Sequence, residues 1–572
     1  MAVTSFAVSV TTSCKVLARG DYQAQYDTLA GTMPLSVAIL GGGVAGLSAA
    51  HELCERNFNV TVFEKKSIFG GKARSLSVPG THTGDRKDLP GEHGFRFFPA
   101  FYKHLPDTMK RIPYDGNSTV ANNLVNATRI LVGRAGLPPL DLVARLPQNC
   151  PDWIVALRAM LTGIGVPDSE VLYFIDRLLV LLTTCPERRV KEYEQIAWWN
   201  FIGAAQRSKE YQTLLAEGLT RSLVALRAED GSTRTVGYIL LQLFAGIISP
   251  TGFDRLLDGP TNEVWLSPWV AYLTNRHVTL ESGVTIKQFL VAPSGVTGVV
   301  AEQGGQQVNI TADYYIAAMP IEVMSGLVTE TLASLAPSLA GLSTLQTKWM
   351  NGIQFYLKTD LPLDHGHTLY ADSPWALTSI SQKQFWKNAP LSDYGDGSLG
   401  GILSVDISDW DSPGILFGKP ARACTANEIK DEVWAQLKVH LNVGGVSMIE
   451  DGNLATWFLD PDIEFPNQSA VTNQEPLLIN TAGSLQYRPD AVTNLPNLFV
   501  ASDYVRTYTD IACMEAANEA ARRAVNGILQ QSESNAPLAE LWPLEEPDFF
   551  QPMIEYDRVR FNLGLPHAAL PL

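Results

Sequence analysis

The sequence predicts an α/β fold: a parallel sheet with crossover helices, joined to a second part of mixed helices and strands. Three observations predict it. Residues 37–64, "VAILGGGVAGLSAAHELCERNFNVTVFE", read as strand, glycine loop, helix, strand and acid. Near the other end, "LPNLFVASDYVRTYTDIACMEAANEAARRAVNGIL" (495–529) reads as strand, turn and helix. Between them, the apolar runs at 351–362 and 400–410 read as strands of a mixed sheet, and "EIKDEVWAQLKVHL" (428–441) spaces Ile429, Val433, Leu437 and Leu441 four apart as an amphipathic helix.

The first element is a short buried strand, 35–40, that runs into Gly41, Gly43 and Gly46 on G-x-G-x-x-G spacing and then into a helix over 47–56. The first glycine permits the tight turn and the second lets backbone approach a pyrophosphate. The third lets helix and strand pack closely. Val44 and Ala45 fill the gap between the last two glycines, where helix N–H groups face an anion. A second strand, 60–63, ends at Glu64, 18 residues after Gly46, with Lys65 next to it. An acid at that distance hydrogen-bonds a ribose hydroxyl. This order of elements predicts a Rossmann-like dinucleotide-binding domain.

Composition bounds the remaining choices. The chain has 572 residues, 46% of them hydrophobic and 18% charged, which suits two or three domains with a deep core. A net charge of −16 argues against a nucleic-acid partner, because phosphate backbones call for a basic face. Six scattered cysteines without any CxxC argue against a zinc site or a disulfide framework, and no metal is expected. No apolar run reaches the roughly 18 residues that span a membrane. The nearest, 171–182 and 238–248, read as buried helices. Residues 1–33 lack the pattern of a secretory signal and read as a flexible extension. A cytoplasmic protein is expected, with peripheral membrane contact left open.

After Glu64 comes "KKSIFGGKARS", with Gly70–Gly71, Lys72 and Arg74. Here the chain resembles the extended FAD fingerprint of the amine oxidase and phytoene desaturase superfamily. The closest branches are the plant and cyanobacterial type of carotenoid desaturases and the hydroxysqualene dehydroxylase-like flavoproteins. The resemblance implies FAD as cofactor, with Gly71, Lys72 and Arg74 in a further turn against the pyrophosphate. It implies that "GEHGFRFFPAFYKH" (91–104) passes the flavin ring, with Gly94 giving close backbone approach and Phe95 and Arg96 beside it. It also places the backbone of Val284 at the adenine, Ala318 in the returning segment "AAMP", and Asp503 at the pyrophosphate and ribityl chain. The helix opening at Met514 would then point its N–H groups at the flavin pyrimidine.

The same resemblance divides the chain into an FAD-binding domain (34–105, 265–335 and 485–530), a substrate domain (106–264 and 336–484) and a C-terminal tail (531–572). It implies an FAD-dependent oxidoreductase that removes hydride from a C–H of a long apolar substrate of isoprenoid or polyene type. A quinone or O2 would take the electrons. Alternatives are a flavin-dependent isomerase or dehydroxylase with no net redox change, and an amine oxidase. Against the last, Asn351 and Gly352 stand where amine oxidases carry a lysine. His93, Arg96 and Tyr508 are the candidate catalytic residues.

Overall fold

Five short strands from distant parts of the chain pair into one parallel sheet in the computed structural model, which describes residues 34–141, 149–161, 164–218, 220–221, 226–247, 254–361, 363, 365–467 and 470–568. The expected extension over 1–33 lies outside the described residues. Across the sheet the order is Thr279–Ser282, Asn59–Glu64, Ser36–Leu40, Tyr314–Ala317 and Leu498–Val500. Ser36–Leu40, Tyr314–Ala317 and Leu498–Val500 are buried almost throughout, whereas Asn59–Glu64 alternates and the edge strand Thr279–Ser282 is exposed to half-buried.

The helix Val44–Cys54 follows the first strand, three residues earlier than the sequence suggested. Gly43 is its N-cap, so Gly46 falls inside the first turn. The long helix Met514–Gln531 packs on it, with Ala516, Ala520, Ala521 and Ala524 all fully buried. Alanine at those positions lets the helices approach closely, and Asn518 Nδ2 donates to Ser48 Oγ at 2.8 Å across the contact.

The second sheet has seven strands in the order Leu137–Asp141, Arg129–Arg134, Gly366–Tyr370, Leu377–Ser381, Gly401–Ile407, Asn351–Leu357 and Leu454–Leu459. It is mixed as expected: Arg129–Arg134 and Gly366–Tyr370 run parallel and the other neighbours antiparallel. The helix Ala426–Leu441 packs Ile429, Val433 and Leu437 with Phe355, Leu403 and Val405, while Tyr356 and Ile402 belong to a separate cluster with Phe95. The sheet is therefore buried on both faces, with Gln354, Ser404 and Asp406 among the polar residues on the second. The helix opens with a capping box in which Thr425 and Glu428 each bond the other's backbone N–H.

The apolar runs read as buried helices lie in Asp168–Leu182 and Thr233–Ile247. The Asp176–Arg177 interruption in the first is a half-buried ion pair of 2.5 Å. Among the described residues no helix is long and apolar enough to cross a membrane.

The region after 531, expected as a tail, is instead woven into the fold. Its helix Gln551–Asn562 buries Ile554 in the helical core and places Asp557 against Arg188 at 3.1 Å. Pro547 and Phe550 lead into that helix, so the prolines of this stretch bend the chain rather than free it.

Candidate active site

The carboxyl ends of the parallel strands meet the glycine loop. Ala318 N–H donates to the Leu40 carbonyl at 2.8 Å, Ala501 N–H to Ala317 at 2.9 Å, and Gly41 N–H to Phe63 at 2.8 Å. Ligands of open parallel sheets bind beyond this edge, where the strand order reverses. Gly41 has φ +114°, and a Cβ on it would stand 2.8 Å from the Ala318 carbonyl oxygen. Gly71, at φ +54°, would drive a Cβ to 2.9 Å from Gly43 Cα. Loop and second glycine turn are thus pressed together and tied by a Gly70 N–H to Gly42 carbonyl bond of 2.8 Å.

Glu64 closes the second strand with both oxygens engaged: Oε2 accepts from Gly42 N–H at 2.7 Å and Oε1 from Lys66 N–H at 2.8 Å. Lys65 beside it is exposed. Val284 begins the strand after Ser282, the register partner of Glu64, and is buried opposite Gln303. The helix behind the loop has Val44, Ala45 and Gly46 buried in its first turn and, among the described residues, no capping side chain and no acid there. Such a buried, uncapped N-terminus fits an anion.

Lys72 and Arg74 are both ion-paired. Lys72 Nζ pairs with Glu322 at 2.8 Å and donates to the Pro476 carbonyl. Arg74, 2% exposed, pairs with Glu475 at 2.9 Å and Asp462 at 2.5 Å. A buried guanidinium must be compensated, and here carboxylates 388 and 401 positions downstream do it.

At the C-terminal arm, Arg488 holds the loop that carries Asp503. Its guanidinium donates to the carbonyls of Asp503, Tyr504 and Val505 and pairs with Asp510, which also takes Arg234. Asp503 is half-buried beside Ser502, whose hydroxyl donates to it at 3.2 Å. Cys513 caps the Met514 helix through its sulfur, which accepts from Ala516 N–H at 3.4 Å; burial pushes this thiol up to about 12, so it stays a neutral cap.

The segment 91–96 lies across the second sheet. Gly352 N–H donates to the His93 carbonyl at 2.7 Å, and a Cβ on Gly352 would stand 2.7 Å from Gly94 Cα. His93 Nδ1 is 2.7 Å from Asp460. Burial works against the Asp460 carboxylate, but His93 and the Asn351 amide outweigh it and leave the group below the usual range. Phe95 is buried against Phe97 and His367. Arg96 donates to the backbone carbonyls of Lys72, Ala73 and Phe95, and burial weakens its hold on its proton.

Two acids that the sequence reading passed over belong here, Glu92 within the segment and Asp406 against Gly94. Burial pushes Glu92 up to about 7 against the pull of Arg96 and Thr261. It pushes Asp406 up to about 6, opposed by Arg96 and His93. Asp406 Oδ1 is buried without a hydrogen-bond partner among the described residues, and a Cβ on Gly94 would stand 2.7 Å from it. The signal was present: Asp406 is an acid inside the otherwise uncharged strand "GILSVDI". His93 and Arg96 thus share one cluster. Tyr508 is not part of it; it is 44% exposed, and its ring lies under Arg523 at 4.6 Å.

The glycine cradle, the Glu64 carboxylate and the uncapped helix end fit a dinucleotide, and comparison with known families says which class of protein holds it. Residues 39–112 match the NAD(P)-binding Rossmann-like domain, and residues 228–529 match the flavin containing amine oxidoreductases. The protein is an FAD-dependent oxidoreductase. More particularly, with over half its length matched, it belongs to the flavin containing amine oxidoreductase family.

The zeta-carotene desaturase of Synechocystis is 22% identical over 526 residues, covering 86% of this chain and 97% of its own. The 15-cis-phytoene desaturase of Synechococcus elongatus is 22% identical over 537 residues, covering 88% and 99%. Among solved structures, cyclohexylamine oxidase from Brevibacterium oxydans has a TM-score of 0.58 at 12% identity, covering 87% of this chain and 100% of its own. A putative protoporphyrinogen oxidase from Exiguobacterium has a TM-score of 0.56 at 15% identity, covering 88% and 100%. These structures share the fold.

Proposed function

We propose that this oxidoreductase is a desaturase or dehydrogenase taking hydride from a C–H of a long apolar substrate of isoprenoid or polyene type. The observation that carries the reading is similarity over almost the whole chain to zeta-carotene and 15-cis-phytoene desaturases. The strand Asn351–Leu357 supports it against an amine oxidase. Asn351 is fully buried, donating to Asp460 at 2.6 Å and accepting from Asn473 at 2.7 Å. The flanking lysines are engaged elsewhere, Lys348 with Asp411 and Lys358 with the Gly452 carbonyl.

Bound FAD supplies the redox chemistry by accepting the hydride, with a quinone or oxygen as final acceptor. The glycine loop, Glu64 and the Val44 helix would hold its adenosine and phosphates, and Asp503 and the Met514 helix its flavin end. That helix presents its positive end to charge developing on the ring. Glu92 and Asp406, whose carboxyls burial pushes up to about 7 and about 6, are the candidates in this reading for taking the proton that leaves the neighbouring carbon. We assign 34–105, 265–335 and 485–530 to the flavin domain and 106–264 and 336–484 to the substrate domain.

Anaerobic addition of zeta-carotene or phytoene to the yellow protein is expected to bleach its oxidised flavin absorbance, with the desaturated product recovered. Bleaching by amines, with aldehyde as product, overturns the reading. Turnover only after the flavin has been reduced replaces it with an isomerase or dehydroxylase.

A further inference from the structure

Asp510 stands four residues ahead of the Met514 helix in a conformation its neighbours do not share. Its φ is +49°, the left-handed region that few residues besides glycine, asparagine and aspartate adopt, and it is only 3% exposed. A backbone held there persists because its surroundings fix it. Asp510 N–H donates to Thr507 Oγ1 at 3.0 Å, and the Asp510 carbonyl accepts from Asn480 Nδ2 at 3.0 Å. The turn sets the carboxylate between two arginines from distant parts of the chain.

Arg488 takes one oxygen. The same guanidinium donates to the carbonyls of Asp503, Tyr504 and Val505, so this arm holds the loop that carries Asp503. Arg234 takes the other oxygen, and Thr235 Oγ1 donates to it at 3.3 Å. Both of these residues lie in the first turn of the helix Thr233–Ile247. Asn480 adds a second tie to the same place, because its own carbonyl accepts from Ser232 N–H at 2.9 Å, just ahead of that helix.

Apolar packing continues the contact. Ile511 forms a small cluster with Ile239 and Leu243 of the helix, and Phe101 and Cys513 pack against it. Cys513 is the cap of the Met514 helix. One residue therefore joins three things: the loop of Asp503, the start of the Met514 helix and the start of the helix Thr233–Ile247. A buried bridge of charges is weak evidence for added stability, since desolvation offsets the attraction. Its geometry is the informative part.

We propose that Asp510 is a positioning residue that couples cofactor occupancy to the helix Thr233–Ile247: FAD orders the loop 503–513, and the Asp510 bridge passes that order to the helix. The coupling rests on the assignment of the Met514 helix to the flavin end and of 106–264 to the substrate domain. Linkage makes it reciprocal, so a substrate that orders the helix tightens FAD by the same factor.

The test follows hydrogen exchange of residues 233–247 by mass spectrometry in the full-length protein, with FAD bound and after FAD has been stripped. In wild type FAD should slow exchange there by at least about tenfold. Asp510→Gly accepts the same φ without strain and removes only the carboxylate, while Arg488 keeps its three carbonyls. This variant should hold FAD within about tenfold of wild-type affinity and lose the slowing. Arg234→Gln cuts the bridge from the helix side, should behave alike, and replaces Asp510→Gly should that variant unfold. Equal exchange in wild type with and without FAD overturns the proposal. So does slowing that survives in a folded variant. Loss of FAD affinity beyond about tenfold in Arg234→Gln also overturns it, because the bridge would then belong to the cofactor site. No substrate is present in these measurements, so their failure leaves the desaturase reading untouched, and failure of zeta-carotene or phytoene to bleach the flavin leaves the coupling untouched.

Discussion

A Cβ on Gly46 would stand 1.9 Å from the carbonyl oxygen of Gly41, so the first turn of the Val44 helix lies directly on the loop it follows. Neither partner can yield: one is backbone in a positive-φ turn and the other is backbone inside a helix. Gly46→Ala should therefore open the cradle. The purified variant is expected to lose FAD by at least about tenfold in affinity, read as the ratio of flavin absorbance to protein absorbance.

Glu64→Ala leaves the Gly42 and Lys66 amides without their acceptor. Loss of two buried bonds to a charged group is worth about 1.5–3 kcal/mol each. The expected outcome is weakened flavin retention with the fold intact, seen by titrating FAD into stripped protein while circular dichroism stays unchanged.

Glu515→Ala should lower thermal stability although it lies in no apolar contact. Its carboxylate accepts from the N–H groups of Lys103, His104 and Leu105 and sits 2.8 Å from His104 Nδ1, so one acid caps the start of a helix 411 positions away. Removing it costs about 2–4 kcal/mol, more than a surface cap, because the donors are buried. Differential scanning calorimetry checks this.

Glu92 and Asp406 give stability a definite pH dependence. Both hold their protons in the folded protein to about 7 and about 6, whereas the unfolded chain ionises at about 4. Between those limits the folded state binds more protons, so stability falls as pH rises through the window and levels off above it. Glu92→Gln should flatten that decline and raise Tm at about pH 8 relative to wild type, while leaving Tm at about pH 5 nearly unchanged.

Asp557→Ala tests whether the C-terminal helix is structural. It strips buried Arg188 of a carboxylate 3.1 Å away and Cys185 N–H of its acceptor. Glu192 still pairs with Arg188 at 2.8 Å, so the loss should stay below the about 3–5 kcal/mol of an unpaired buried cation, and urea midpoints should fall by a corresponding amount.

What could be read from the sequence follows the range of the interactions. Gly41, Gly43, Gly46 and Glu64 were legible because a turn, a helix start and a strand end are decided within a few residues. The strands at 351–357 and 401–407 were legible from their apolar content. The pairings of His93 with Asp460 and of Arg74 with Asp462 and Glu475 were not, since nothing local tells a buried cation which distant acid will meet it. The stretch after 531 looked loose because its prolines and acids are those of a linker; its anchors, Arg188 and Arg189, lie more than 350 positions upstream.

The parallel sheet also dictates when the cofactor can be taken up. Its last strand, Leu498–Val500, and the helix from Met514 leave the ribosome long after the glycine loop at Gly41–Gly46 that they must meet. Until then the glycine cradle faces an incomplete partner. Chains stopped early by a nonsense codon or a stalled ribosome should emerge colourless, exposing apolar strands for chaperones and proteases to find. Retention of colour thus reports that synthesis passed the Met514–Gln531 helix.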